Sequence, residues 1–169
     1  KKRTGTLSFK KPLLVRWETK SPTPELLLVG KDAIWNVFPE EEMAYKYAIG
    51  LAQDSRSIVR VVTGQAKLDQ DFTVEEEGKD GQLVKLRLYP KEPSQAMVEA
   101  LLWVDPSSYL IRKIRAYDFY GNENEISFSA HNPSIKLPDS SFAYSPPKDF
   151  AVEDRTKNAG AAPIKPLMQ

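Results

Sequence analysis

The sequence contains no cysteine, and it has no excess of charge of either sign. The missing cysteine excludes disulfide bonds, thiolate metal ligands and thiol nucleophiles together. The 24 Lys and Arg residues are balanced by 23 Asp and Glu, for a formal net charge of +1. Nucleic-acid-binding proteins need a basic excess on one face, so this balance argues against nucleic acid as a partner.

The sequence also has few long apolar runs and few residues typical of catalytic or metal sites. No apolar run approaches the roughly 18 residues of a transmembrane helix. The single histidine, His131, has no second histidine or cysteine near it in sequence and is interpreted as an exposed loop residue. Asp105 and Asp118 could pair for acid–base chemistry, but both stand in turn-like sequence. We therefore expect no enzyme, no metal site and no cofactor.

The sequence is rich in period-two alternation of apolar and polar residues, which is typical of β-strands. The run 83–89 alternates Val84, Leu86 and Leu88 with Lys85 and Arg87. A helix is predicted over 54–62, with a glycine at 64 as its stop. Hairpin turns are predicted at 78–81 and 121–124. Strands are predicted at 5–10, 13–18, 26–29, 33–38, 43–49, 72–77, 83–89, 97–104, 109–120, 125–130 and 142–144.

Roughly ten strands and one short helix predict a mainly β fold built on an antiparallel sheet. Because a sheet of that size twists and curls, it should be strongly curved and should close or nearly close. One domain is expected over 1–154, followed by a flexible tail over 155–169 that is rich in Ala, Gly, Pro and Lys. The start at Lys1 suggests a mature or truncated product.

A curled sheet with little helix to fill it predicts an apolar inner face. Three tryptophans, Trp17, Trp35 and Trp103, lie within the strand patterns. Plain core packing explains the same residues equally well, and a register slip of one residue would exchange the two faces. The candidates for the inner, ligand-binding face are Leu7, Phe9, Val15, Trp17, Leu26, Leu28, Trp35, Val37, Leu86, Leu88, Leu102, Val104 and Ile114.

Several short segments, in their order along the chain, carry a family resemblance. They are GTLSFKKP at 5–12, VRWE at 15–18, a Gly-Lys-Asp turn at 30–32 with Ile34-Trp35, LRLYPK at 86–91, LWVD at 102–105, and LPDSSF at 137–142 before Pro146-Pro147. Over about 5–154 the sequence resembles the bacterial outer-membrane lipoprotein carrier family, LolA.

The resemblance implies an incomplete, half-open antiparallel barrel with short helices as a lid. Family members shelter the acyl chains of lipoproteins in the periplasm. Lys11 stands where the carrier typically has an arginine that holds the lid shut, and lysine lacks the planar fork of guanidinium donors. Relatives also have an N-terminal helix and strand before this point, which the sequence does not contain.

The resemblance implies a periplasmic protein that binds acyl chains of lipoproteins or other lipids and carries them toward the outer membrane. Its expected partners are those lipids, an inner-membrane donor complex and an outer-membrane acceptor. Two alternatives stay open. One is an envelope module on the same fold that senses lipid or protein without carrying it. The other is a solid β scaffold without a ligand.

Overall fold

A computed structural model describes residues 2–50 and 58–157. The chain divides into two compact units, and each is described by itself. The first unit contains 2–50 and 136–157, and the second contains 58–135. Among these described residues, no helix combines the length and the apolar character needed to cross a bilayer.

The first unit is built on a six-stranded sheet. Its first five strands follow one another in chain order and pair antiparallel, and the last strand pairs parallel with the fifth. The 3-10 turns Pro39–Glu41 and Asp139–Phe142 accompany the sheet. The strands are β1 (Thr4–Lys10), β2 (Leu14–Ser21), β3 (Glu25–Val29), β4 (Ala33–Phe38), β5 (Met43–Ala48) and β11 (Ala151–Asp154).

Glycine and proline shape the edges of this sheet. Gly5 lies at a register shift in β1, where an added Cβ would come within 2.0 Å of the Glu18 carbonyl oxygen. Only a residue without a side chain permits that approach of the two strands. Pro12 lies between β1 and β2 and Pro22 between β2 and β3, where neither removes a ladder hydrogen bond from a strand interior.

The second unit is built on a five-stranded antiparallel sheet in the order β10-β9-β8-β7-β6. Two short helices precede it, and the first of them contacts β9. The elements are α1 (Ile58–Val62), α2 (Leu68–Asp71), β6 (Phe72–Asp80), β7 (Leu83–Pro90), β8 (Glu99–Val104), β9 (Ile111–Tyr117) and β10 (Glu123–Ser127).

The hairpins of the second sheet are held by aspartates. The Asp105 carboxylate accepts hydrogen bonds from the backbone N–H groups of Ser107 and Ser108. The carboxylate of Asp118 does the same for Tyr120 and Asn122. The predicted turn roles of both aspartates are therefore confirmed. The Ser107 N–H and the neighbouring Arg112 lower the pKa of Asp105 to about 2.

The predicted mainly β, antiparallel fold with few short helices is confirmed. Within the described ranges the strands form two sheets, and neither closes into a barrel. The predicted helix over 54–62 is seen from Ile58, and its first residues lie outside the described part of the chain.

Two local predictions were wrong, and two short elements were not predicted. The predicted strand over 142–144 is instead the end of the 3-10 turn Asp139–Phe142. The β6–β7 turn moves to Gly81, because a bulge with Gly78 at φ 90° lets β6 continue through the predicted turn. Helix α2 and strand β11 were not predicted, since each is only four residues long.

The predicted tail begins with an ordered residue. The Arg155 N–H donates to the Lys46 carbonyl oxygen at 2.8 Å, and its guanidinium lies 4.4 Å from the ring centroid of Tyr45. The rest of the predicted tail from residue 158 lies outside the described residues. The domain boundaries 1–154 and 155–169 stay predictions.

Candidate functional site

One face of the second sheet is a ladder of apolar side chains. Residues paired across neighbouring strands project to the same side of a sheet, so the register fixes the face. Leu86 pairs with Leu102 and Leu102 with Ile114. Leu88, one step along β7, pairs with Ala100, and Val84 pairs with Val104. All five candidates of this sheet therefore share one face: Leu86, Leu88, Leu102, Val104 and Ile114.

Burial on this apolar ladder changes along the strands. Leu88, Leu102 and Ile114 are at most 1% exposed, whereas Leu86 and Val104 are half-buried. The paired residues of this ladder on β7, β8 and β9 are uncharged, whereas on the adjoining strand β6 Glu76 pairs with Leu86 and Lys79 with Val84 on the same face. Helix α1, whose residues Ile58, Val59 and Val61 are buried, contacts β9. The ladder thus has a fully buried middle and a partly accessible end at Val84 and Val104.

The opposite face of the same sheet is charged, with Trp103 at its centre. The Lys113 ammonium lies 3.9 Å from the Trp103 ring centroid, and the indole N–H donates to Asp80 at 2.8 Å. Arg115 on β9 pairs with Glu125 at 2.6 Å. Trp103 was one of three tryptophans considered for an apolar inner face, and the register places it on this charged face instead.

In the first sheet, the register divides the candidates between two faces. Leu7, Phe9, Val15 and Trp17 lie on one face, because Leu7 pairs with Trp17 and Phe9 with Val15. Their partners on β3, Leu27 and Val29, and then Asn36 and Ile34 on β4, complete this face, which we call face A. The other four candidates project from the opposite face, which we call face B: Leu26, Leu28, Trp35 and Val37.

The prediction of a single inner face is therefore wrong for the first sheet. Its strands contain consecutive apolar residues, as in the run 26–29, so both parities look apolar. The alternation that identifies a face in β7 is absent there. Burial does not separate the faces either, since Val15 on face A and Leu28 on face B are both at most 2% exposed.

The C-terminal segment of the first unit packs against face B. The Tyr144 ring contacts the Trp35 ring edge-on, with centroids 5.3 Å apart. Arg16, on face B of β2, donates to the Ser141 carbonyl oxygen at 3.2 Å. Phe142 is 2% exposed. The chain itself thus covers the region of Trp35, which explains that tryptophan as a packing residue.

At the corner between β1 and β2, the ion pair is made by Lys10 and not by Lys11. The Lys11 side chain is exposed, and it makes no hydrogen bond or ion pair within 2–50 and 58–157. Its neighbour Lys10 pairs instead with Asp139 at 2.7 Å, and Lys31 reaches the same carboxylate at 2.6 Å. Both ammonium groups lower the pKa of Asp139 to about 2. The lid-latch role of Lys11 stays a prediction.

Two polar residues of face A were missed from sequence. Asn36 is 2% exposed, and the Glu25 side chain is 9% exposed. Burial raises the pKa of the Glu25 carboxyl, and the positive charge of Arg3 opposes that rise. An asparagine within the apolar run 33–38 was the signal that could have identified this position.

His131 is half-buried rather than exposed. Arg112 donates one hydrogen bond to Nδ1 of His131 at 2.9 Å and another to Asp105 at 3.1 Å. This chain of contacts ties the loop after β10 to the β8–β9 turn. In the described part of the chain, no three His, Cys, Asp or Glu side chains are grouped as metal ligands.

The family model and the related sequences agree on one family. The family model described as outer membrane lipoprotein carrier protein LolA matches residues 1–145. The outer-membrane lipoprotein carrier protein of Chromobacterium violaceum is 25% identical over 149 residues, which cover 88% of this chain and 71% of that protein. The corresponding protein of Dechloromonas aromatica is 25% identical over 144 residues, covering 85% and 68%.

A solved lipoprotein-sorting protein domain from Vibrio parahaemolyticus is 15% identical, with a TM-score of 0.41 over 76% of this chain. This chain spans 62% of the length of that domain. The family model alone covers well over half of the sequence. The chain belongs to the LolA family of outer-membrane lipoprotein carrier proteins.

Proposed function

We propose that this protein binds the acyl chains of lipoproteins on apolar sheet faces and carries them across the periplasm toward the outer membrane. The observation that carries the proposal is the apolar ladder of the second sheet, where Leu86, Leu102 and Ile114 pair across three strands. Membership in a carrier family, rather than an enzyme family, supports the same reading.

The physical demand on such a carrier is to shelter hydrocarbon from water. Each buried methylene contributes about 0.8 kcal/mol, so an acyl chain is held by area rather than by any single contact. A face without charges avoids the desolvation cost that an ionised group would add. The paired residues of the ladder on β7 to β9 meet that requirement, and the charged Glu76 and Lys79 on this face lie at its margin on β6.

Helix α1 is the lid that we propose for this ladder. It has five residues, of which Ile58, Val59 and Val61 are buried, and it contacts β9. So short a helix is stabilised by packing rather than by its own hydrogen bonds. It can therefore leave the ladder when acyl chains replace its contacts. The half-buried Leu86 and Val104 mark the end at which chains enter.

The partners that we propose are an inner-membrane donor complex and an outer-membrane acceptor. A sensing module on the same fold would bind acyl chains but would not release them to an acceptor membrane. Transfer of a bound fluorescent fatty acid to acceptor vesicles therefore separates the two functions. A carrier should deliver the probe by contact, so the transfer rate should rise with vesicle concentration.

The proposal is tested by native mass spectrometry and lipid extraction on protein purified from a bacterial envelope. We expect acylated species to accompany the natural protein. Leu86→Glu should abolish them, because it places a carboxylate on the apolar ladder at a half-buried position. Ser127→Glu is the matched control, since Ser127 is an exposed strand residue on the opposite face of the same sheet.

The two variants must first show the same folded circular dichroism spectrum. If Leu86→Glu still binds acylated species, the apolar ladder is not the binding site. Absence of lipid from the natural protein, together with no uptake of a fluorescent fatty acid, would leave a packed β scaffold.

A further inference from the structure

The turn between β8 and β9 holds the most exposed large apolar side chain in the described part of the chain. Tyr109 is 83% exposed, whereas the residues of the two strands that it joins are buried or half-buried. The stabilisation that an apolar side chain gives to a fold is proportional to the area that it removes from water. Tyr109 therefore contributes little to the packing of the second unit.

The backbone of Tyr109 is in the left-handed region, with a φ of 58°. This region is costly for a residue with a Cβ, and hairpin loops usually place glycine there. The Tyr109 N–H donates to the Asp105 carbonyl oxygen at 2.8 Å, and the Asp105 N–H donates to that of Leu110 at 3.0 Å. Glycine would make the same backbone bonds without the cost. A tyrosine held in this conformation, and not required by the turn, points to a function of its side chain.

Tyr109 lies at the accessible end of the apolar ladder. Val84 pairs with Val104 and Val104 with Ile111, and the turn 105–110 joins the last two residues. All three are half-buried, whereas Ala100 and Ala116, at the other end of the same strands, are fully buried. An acyl chain that enters the ladder at Val84 and Val104 therefore passes beside this turn.

The exposed part of the turn is uncharged. Pro106, Ser107 and Ser108 are exposed, and the carboxylate of the half-buried Asp105 is paired inside the turn. It accepts hydrogen bonds from the Ser107 and Ser108 N–H groups and from the Arg112 guanidinium at 3.1 Å. Tyrosine is typical of the membrane–water interface, because its ring is apolar and its hydroxyl reaches water and headgroups. A neutral tip that carries one tyrosine fits that environment without the desolvation of a charge.

We propose that Tyr109 contacts the phospholipid bilayer with which this protein exchanges acyl chains. Its ring enters the interfacial region and holds the accessible end of the ladder against the membrane. A chain then passes between the bilayer and the ladder with less of its surface in water. The uncharged tip favours a bilayer over a partner protein, because it offers no charge for a complementary surface. This inference rests on the proposed function, since it specifies the membrane-facing end of the same carrier.

The fluorescence of a tryptophan at the turn measures this contact directly and requires no bound acyl chain. Tyr109→Trp is mixed with vesicles of phosphatidylcholine or of brominated phosphatidylcholine, whose bromine atoms quench tryptophan only at short range. Tyr120→Trp is the matched control, because Tyr120 is 72% exposed in the β9–β10 turn at the opposite end of the second sheet. We expect the brominated lipid to quench a larger fraction of the fluorescence of Tyr109→Trp than of the natural protein. Tyr120→Trp should match the natural protein.

Tyr109→Asn tests the consequence for transfer. It should slow the transfer of a bound fluorescent fatty acid to phosphatidylcholine vesicles about fivefold, as partial burial of one aromatic side chain predicts. Its affinity for the fatty acid without vesicles should be unchanged. It should unfold at the same or a higher temperature, because asparagine tolerates the left-handed region. Tyr120→Asn is the control and should transfer at the natural rate, and Tyr109→Gly is a second variant at the same position.

Four results would overturn the bilayer contact while leaving the carrier function intact. The first is quenching of Tyr109→Trp no greater than that of the natural protein. The second is an equal effect of Tyr109→Asn and Tyr120→Asn on the transfer rate. The third is a clearly lower unfolding temperature of both Tyr109→Asn and Tyr109→Gly, which would assign the tyrosine to the fold. The fourth is normal transfer by Tyr109→Asn to protein-free vesicles with slowed transfer to vesicles that contain an acceptor protein, which would assign Tyr109 to a protein partner.

Failure of the carrier function gives a different result. The natural protein would then take up no fluorescent fatty acid, whatever the quenching of Tyr109→Trp by brominated lipid. Quenching that persists in that case would leave a membrane-contacting protein that carries no acyl chain.

Discussion

The two sheets distribute their apolar residues differently. In the second sheet, the apolar ladder of Leu86, Leu102 and Ile114 is separated by strand parity from the charged face around Trp103. In the first sheet, both faces carry buried apolar side chains, such as Leu27 on face A and Leu28 on face B. The second sheet therefore has one apolar side, and the first has two.

A sequence pattern identifies the apolar face of a strand only where the other face is polar. A strand with one polar side reveals its apolar side by alternation, whereas a strand buried on both sides does not. Face B is occupied by the chain's own Phe142 and Tyr144 segment, which contacts Trp35. Within the described residues, face A instead carries two unpaired acceptor oxygens, on Asn36 and Glu25. An apolar strand is thus equally consistent with packing and with binding until its covering residues are known.

Truncation of buried leucines should give the largest effect. Leu27→Ala and Leu28→Ala, on opposite faces of the first sheet, should each lower the free energy of unfolding by about 2–5 kcal/mol, because each leaves a cavity in a packed region. Leu102→Ala should cost a similar amount in the second sheet. The measurement is urea denaturation followed by tryptophan fluorescence.

Thr73→Ala is the control, because Thr73 is exposed and, by its pairing with Tyr89, lies on the charged side of the second sheet. Its effect should stay within about 0.5 kcal/mol. A small effect of Leu28→Ala beside a large effect of Leu27→Ala would mean that the first sheet also has only one packed face.

The charged face of the second sheet should contribute a smaller, measurable coupling. The Lys113 ammonium lies 3.9 Å from the Trp103 ring centroid. A double-mutant cycle of Trp103→Leu and Lys113→Met should therefore give a coupling of about 0.5–2 kcal/mol in the free energy of unfolding. Zero coupling would mean that the contact between Lys113 and Trp103 does not stabilise the fold. The apolar ladder would then be the main source of stability in that sheet.

The smallest effect is expected at the ion pairs that hold the C-terminal segment on the first sheet. Lys10 and Lys31 lower the pKa of Asp139 from 3.8 to about 2. Because the folded-state pKa lies below the unfolded one, this stabilisation is nearly complete above about pH 4 and is lost as the pH falls through about 2. Asp139→Asn should thus lower stability slightly at pH 7 and progressively less as the pH falls through about 2.

Urea denaturation at several pH values measures this dependence. Asp149→Asn is the control, since Asp149 is an exposed aspartate in the same C-terminal segment. A destabilisation by Asp139→Asn that is the same at every pH would mean that the carboxylate acts through packing rather than through its charge.

Much of the fold could be predicted from sequence, and the candidate site only in part. Alternation in β7 correctly placed Leu86 and Leu88 on one face, and turn chemistry correctly assigned Asp105 and Asp118. The bulge at Gly78 and the parallel partner of β5 could not be predicted, because each depends on a second strand. The burial of Asn36 could not be predicted, because it depends on the pairing of β4 with β3 and β5.

The mainly β class, the absence of cysteine chemistry and the apolar face of the second sheet could all be predicted from the residues alone. These follow from residue types and from a period of two that each strand carries within itself. Which face of the first sheet is covered, and which buried oxygens lack partners, depends on contacts in the folded protein. Register and covering contacts join residues far apart in sequence, such as Trp35 and Tyr144, and no local pattern encodes them.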